Sequence, residues 1–150
     1  KTVQDLVGEA KKKPGDFTFG SSGTGTATHL FAGLFGHETA IKLTHVPYKG
    51  SSQTLTDLLA GRIQLMFSPA GTVLPSIKAG TLRALAVSTA TRVEALPDVP
   101  MVSEFLPGFE ANDWLGVGAP KDPHADIIER LNKEIAAALA CPTITARFDA

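Results

Sequence analysis

Cysteine is almost missing from this chain. Cys141 stands alone in 150 residues, so no internal disulfide can form, and one cysteine does not fix a redox compartment. An excess of one charge is missing too. Lys and Arg number 14 against 15 Asp and Glu, a formal net charge of −1, which gives no electrostatic reason to expect nucleic acid as a partner. The one basic run, Lys11, Lys12 and Lys13, reads as a solvated helix end. No apolar stretch reaches the ~18 residues of a membrane-spanning helix, so direct membrane insertion is not expected. His29, His37, His45 and His124 show no metal-ligand spacing and no carboxylate cluster beside them, so no metal and no cofactor is expected. The chain starts at Lys1 without an apolar leader, which reads as a processed or cut chain whose start says nothing about targeting. What remains is an ordinary globular composition, 43% hydrophobic and 19% charged, at a length that supports one real core.

The first element reads as a helix. Thr2 and Asp5 have the spacing of a capping box, and Val3, Leu6, Val7 and Ala10 form one apolar face. Pro14 and Gly15 stop it. A strand, loop and helix then recur. Residues 16–20 form a strand, 21–25 a loop, and Thr24 or Thr26 caps a helix that ends at Gly36. Residues 41–46 form the second strand, and Ser51 or Ser52 caps a helix carrying Leu55, Leu58 and Leu59. Residues 63–67 form the third strand, Thr72 caps the next helix, and residues 82–87 form a fourth strand. Strands alternating with three-turn helices predict parallel βαβ units and an α/β fold, a mostly parallel sheet flanked by helices. The pattern breaks after residue 87. Pro97, Pro100 and Pro107 mark an irregular connection, and residues 109–119, with Trp114, look strand-like. Asp122 caps a long helix with Pro123 at its first position and a buried stripe of Ile127, Ile128, Leu131, Ile135 and Leu139. Pro142 ends that helix, and residues 143–150 begin another.

In an open parallel sheet, every strand ends on one edge and every following helix starts there. Three such strand ends are rich in small polar residues: 20–26, 47–52 and 68–72. Free amides at helix starts, the positive dipole end and hydroxyl donors point to a small anion such as a carboxylate or phosphate. Each loop taken alone has a plainer explanation in capping and turns. Known chemical signatures fail. Gly20 and Gly25 have phosphate-loop spacing, but Thr26 and Ala27 replace Lys and Ser/Thr; Thr28 spoils the dinucleotide pattern; no G-x-S-x-G elbow exists. No catalytic residue is therefore assigned. His29 either reaches a ligand or makes a structural hydrogen bond, Tyr48 either walls the cleft or packs, and His45 reads as structural.

These same residues carry a family resemblance. The elements are G-S-S-G-T-G at 20–25 followed by His29, V-P-Y-K-G at 46–50, D-L-L-A-G at 57–61 and A-G-T-L-R-A-L-A-V at 79–87. Arg92, the L-P-D-V-P string at 96–100, Trp114-Leu115-Gly116, Ala119-Pro120 and Arg130-Leu131-Asn132 complete the set. Together they resemble the Bug family, the periplasmic solute receptors of tripartite tricarboxylate transporters. The resemblance implies one lobe of a type II periplasmic-binding fold. Residues 1–111 would be the second ligand-binding lobe, and residues 112–150 a crossing strand and helices returning to an absent first lobe. It implies ligand-facing positions at Ser21, Ser22, Gly23, Thr24, Gly25, Thr26 and His29, at Tyr48, Gly50, Ser51 and Ser52, and at Ser68 and Ala70. The third of these loops is the weakest match.

The resemblance implies a periplasmic, non-enzymatic receptor. It would capture a small carboxylate or dicarboxylate and deliver it to membrane transporter subunits, with no cofactor. Two other readings stand beside it. One is a ligand-sensing module of a signalling or regulatory system; the other is an enzyme using Ser22 and His29, which the failed elbow and triad patterns disfavour.

Overall fold

The computed structural model describes residues 2–148. The chain divides into two compact units, Lys1–Asn112 and Asp113–Ala150. The first holds α1 (Val3–Lys12), β1 (Thr18–Ser21), α2 (Ala27–Thr39), β2 (Thr44–Pro47), α3 (Ser51–Leu59), β3 (Leu65–Met66) and α4 (Ala70–Lys78), followed by a short 3-10 turn at Val102–Glu104. The second holds α5 (Ala125–Leu139) and α6 (Pro142–Phe148).

α1 forms as its sequence predicts. Thr2 accepts the Asp5 N–H, and the Asp5 carboxylate accepts the Thr2 N–H at 2.9 Å, the reciprocal box that satisfies two orphan donors. Its apolar face places Val3 and Ala10 in a core with Phe35, Ile41, Val102, Phe109 and Ala111. Phe35 meets Phe109 edge-on at 6.3 Å and Phe67 at 5.8 Å. The sheet is parallel, in the order β2-β1-β3. Thr18 to Ser21 of β1 run opposite Thr44 to Pro47 of β2, and Phe19 and Gly20 lie opposite Leu65 and Met66 of β3. The chain thus leaves the central strand first to one side and then to the other. That reversal of strand order opens a crevice at the strands' carboxyl ends.

Gly20 sets the spacing at the middle of this sheet. A Cβ there would overlap Thr54 Cγ2 of α3 and lie 2.6 Å from Ile63 Cδ1 and 3.2 Å from the Tyr48 ring. Only glycine lets α3 come this close to β1.

Several boundaries differ from the sequence expectations. α2 runs past Gly36 to Thr39 and closes on Ala40, a non-glycine residue at φ 52°. Ala40 N–H bonds to His37 O and Ile41 N–H to Gly36 O, a Schellman closure that rewards the left-handed residue with two hydrogen bonds. α3 is capped by the backbone of Gly50 rather than by Ser51 or Ser52. α4 starts at Ala70 after Pro69, so Thr72 does not cap it. Residues 82–87 form no sheet strand. Val87 donates to Pro100 O at 2.9 Å and accepts from Val102 N–H at 2.8 Å, so the proline-rich connection has taken its bonding groups. Residues 109–119 form no strand either; Ala111 bonds back to Ser88 through both its N–H and its carbonyl. Asp122 has φ 59° and does not cap α5, whose N-cap position is His124. Pro142 opens α6 instead of ending α5, a position where its missing N–H costs nothing. Residues 149 and 150 of that expected last helix lie outside the described residues. The stripe on α5 is not buried: Ile127, Ile128, Leu131 and Leu139 are all exposed.

Replacing Gly20 by Ala is expected to cost about 1–3 kcal/mol, the range for overpacking a filled site. Replacing Gly33, which has open space where a Cβ would go inside α2, is expected to gain roughly 0.5–1 kcal/mol. Urea denaturation of the two variants checks both signs.

Candidate functional site

The connection from β1 to α2 is a closed hydroxyl network. Ser21 is fully buried at the end of β1. Its Oγ lies 2.7 Å from His45 Nε2, 3.1 Å from Gly23 O and 3.2 Å from Gly23 N. Its carbonyl accepts the Tyr48 N–H at 3.0 Å and lies 3.2 Å from the buried Thr54 hydroxyl. Ser22, Thr26 and Thr28 meet through their hydroxyls at 3.0 to 3.3 Å. Thr28 Oγ1 also accepts the Ser22 N–H at 2.9 Å, and Thr26 Oγ1 donates to Gly23 O at 2.7 Å.

Counting protons shows what is left for a ligand. The Thr26 proton goes to Gly23 O, and that of buried Thr28 goes to one of its two hydroxyl neighbours. Ser22, half-buried at the edge, has partners that can accept but do not require its proton. Ser22 N–H, Gly23 N–H, Gly25 N–H and Thr26 N–H already have acceptors within the loop. Thr26 stands at the N-cap position of α2, yet its side chain turns back to Gly23 and makes no cap bond. Among the described hydrogen bonds, the amides of Thr24, Ala27 and Thr28 have no acceptor. These three N–H groups, the positive end of α2 and the Ser22 hydroxyl suit one small anion. Thr24 and Gly25 are exposed, and Gly23 and Thr26 are half-buried.

The second loop is built differently. Tyr48 packs its ring against Gly20, and its hydroxyl donates to Asp57 Oδ2 at 2.8 Å. Arg62 holds the other oxygen of Asp57 at 2.7 Å. The Tyr48 hydroxyl and Arg62 keep the Asp57 carboxyl below the usual range, while burial and then Asp57 push the Tyr48 hydroxyl up. The Tyr48 hydroxyl therefore anchors α3. Gly50, at φ 155°, turns the chain into α3 with no side-chain cap, and Ser51 and Ser52 occupy its first two positions. Ser51 is half-buried and Ser52 exposed. In the third loop, Ser68 donates to Pro69 O at 3.2 Å and Ala70 begins α4. Among the described residues, no hydrogen bond joins Ser68 or Ala70 to the other two loops. Register puts all three loops on one edge, but bonding links only the first two.

His29 and His45 stack face to face with centroids 4.0 Å apart, and Phe19 stacks on His45 at 4.8 Å. Burial, and then the neighbouring His29, hold His45 below the ordinary imidazole range. Ser22 and His29 share no hydrogen bond among the described residues; His29 Nδ1 accepts the Gly25 N–H instead. Thr28 and Thr54 were not singled out from the sequence. Thr54 stands four residues before Leu58 on the inward stripe of α3, a polar residue on an apolar face and hence a readable signal. Two cavities of this unit, about 420 Å³ beside Ile77 to Ala84 and about 380 Å³ beside Thr2 to Gln4, include no residue of the three loops. Among the described residues, no cluster of three or more His, Cys, Asp or Glu fits a metal, and no helix is long and apolar enough to cross a membrane.

Comparison with known proteins identifies the family. Residues 1–149 match the family described as tripartite tricarboxylate transporter family receptor. A UPF0065 protein from the tcbD-tcbE intergenic region of Pseudomonas sp. (strain P51) is 40% identical over 146 residues, 96% of this chain and 44% of that protein. The R. palustris protein Rpa4515, solved with adipate, superposes with a TM-score of 0.91 at 36% identity, over 99% of this chain and 50% of the other. The periplasmic binding protein BugD superposes with a TM-score of 0.92 at 31% identity, again over 99% and 50%. This chain spans about half the length of these relatives.

The depressed His45 makes stability depend on pH. The unfolded chain takes up this proton near the ordinary value of 6.5, the folded chain only at lower pH. The contribution is full above 6.5 and is lost as pH falls through the folded value. Urea midpoints measured on both sides of that value are expected to drop on acidification in the wild type, and the drop is expected to shrink in His45→Gln.

Proposed function

The chain belongs to the tripartite tricarboxylate transporter receptor family, also called Bug, and from that membership we propose that it is the second lobe of an extracytoplasmic receptor. The receptor captures a small carboxylate or dicarboxylate and delivers it to membrane transporter subunits without changing it chemically. Residues 1–111 form the lobe, and residues 112–150 return to the first lobe. One observation carries the ligand class. At the carboxyl end of the central strand, among the described hydrogen bonds, the amides of Thr24, Ala27 and Thr28 have no acceptor, and they stand with the Ser22 hydroxyl before and at the start of α2, with no cation among residues 21–26. Such a site holds an anion by dipoles rather than by a salt bridge, and the planar oxygens of a carboxylate fit two or three of its N–H donors. The adipate in the R. palustris relative, a dicarboxylate, supports the same class. The exposed apolar residues of the second unit, Trp114, Leu115 and the α5 stripe, have the character of a face that the other lobe covers.

Titration calorimetry of the intact receptor against a panel of mono-, di- and tricarboxylates tests this. Saturable binding without turnover is the expected result, and Ser22→Ala is expected to weaken it roughly tenfold, the cost of one bond to a charged group. The 150-residue chain alone is expected to bind far more weakly than the intact receptor, because water screens an anion on an open edge. Silence across the whole panel, with tight binding of an uncharged or phosphorylated solute, would overturn the carboxylate reading.

A further inference from the structure

The stacked imidazoles hold the two ends of the anion loop. His45, in β2, meets buried Ser21 at the loop's base, and His29, one turn into α2, accepts the N–H of exposed Gly25 at the loop's apex. The second bond sets a proton position. Nδ1 of His29 must present a lone pair at 3.1 Å from Gly25 N, so the neutral ring carries its proton on Nε2. A doubly protonated ring has two donors and no acceptor, and it would turn an N–H toward the Gly25 N–H.

His29 is faced by Phe19 from β1 and by His45 from β2, one uncharged and the other a second imidazole 4.0 Å away. No carboxylate forms an ion pair with either ring among the described residues. A second proton on His29 would thus face the Gly25 N–H and the His45 ring directly.

The geometry points to His29 as a positioning residue: its unprotonated Nδ1 ties down Gly25, and proton uptake by the ring releases the loop's apex. While the tie holds, Gly25 N–H is withheld from a ligand, and the donor set stays with Thr24, Ala27, Thr28 and the Ser22 hydroxyl. The inference rests on reading residues 21–26 as the anion site for its importance, but the tie itself is a separate claim.

Nuclear magnetic resonance of the intact receptor, isotope-labelled at glycine and histidine, tests it over about pH 5 to 8, where an imidazole changes charge. The ring nitrogens of neutral His29 are expected to report a protonated Nε2. The Gly25 amide is expected to lose about tenfold in hydrogen-exchange protection, after correction for the intrinsic rate, as the ring takes up its proton. His29→Asn, which keeps an acceptor in nearly the same place but cannot titrate, is expected to keep Gly25 protected throughout. His29→Phe, which keeps the stack without the acceptor, is expected to leave Gly25 unprotected at every pH. A wild-type amide indifferent to the ring's protonation, or a neutral ring protonated at Nδ1, overturns the proposal whether or not a carboxylate binds. A titrating amide in a receptor that binds no carboxylate of the panel instead overturns the ligand reading and leaves the tie standing.

Discussion

Thr54 of α3 lies where a side chain on Gly20 would be, and much of the site follows from that close approach. Its buried hydroxyl lies 3.2 Å from Ser21 O on β1 and 3.0 Å from Gly50 O at the start of α3, sharing one proton between them. The end of the central strand and the turn into the third helix are thereby held by one side chain. Ser21 is drawn fully inside, its hydroxyl turned to His45 and Gly23. Each bond contributes about 1 kcal/mol, but an unmet carbonyl at this depth would cost more, so the arrangement is favoured as a whole.

Outside that buried layer the polar groups mostly bind one another. This has a physical use. A loop whose amides and hydroxyls are already paired takes its shape without a ligand, and under the proposed function little ordering entropy would be left to lose on binding. It also limits the donors. Four amides between Ser22 and Thr26 are committed, which leaves the Thr24 amide and the first turn of α2 as the uncommitted donors among the described hydrogen bonds. Tyr48 follows the same logic. Its hydroxyl is spent on Asp57, and Asp57 on Arg62, so an aromatic residue beside the crevice serves to lock α3 against β1.

Much of the fold was legible beforehand. The α1 capping box, the three strand-loop-helix repeats and the parallel sheet each rest on local signals, a cap spacing or a periodicity. The misreadings share a cause. Gly36 looked like a helix end, Thr72 and Asp122 like caps, and residues 82–87 like a strand, and each was overruled by a partner distant in sequence or by backbone geometry. Residues 82–87 alternate well enough for a strand, yet Val87 found its partners at Pro100 and Val102. Strand formation needs a neighbour, and pattern alone does not name one. The α5 stripe shows the converse: its apolar period is real, but burial needs a covering surface, and in this chain Ile127, Ile128, Leu131 and Leu139 remain exposed.

By itself the sequence determined which residues could serve. Small polar residues after each strand, at helix starts on one sheet edge, were the sequence's pointer to an anion site, and the family strings fall on the same residues. Tertiary structure decided which of them are free. Whether a hydroxyl or amide is available depends on where every neighbouring proton goes, and those partners come from β2, α2 and α3, brought together only by register and by the space Gly20 leaves. That is why Thr28, Thr54 and the imidazole stack emerged only from the fold: hydrogen bonds act over about 3 Å, and no sequence spacing measures that distance between separate strands and helices.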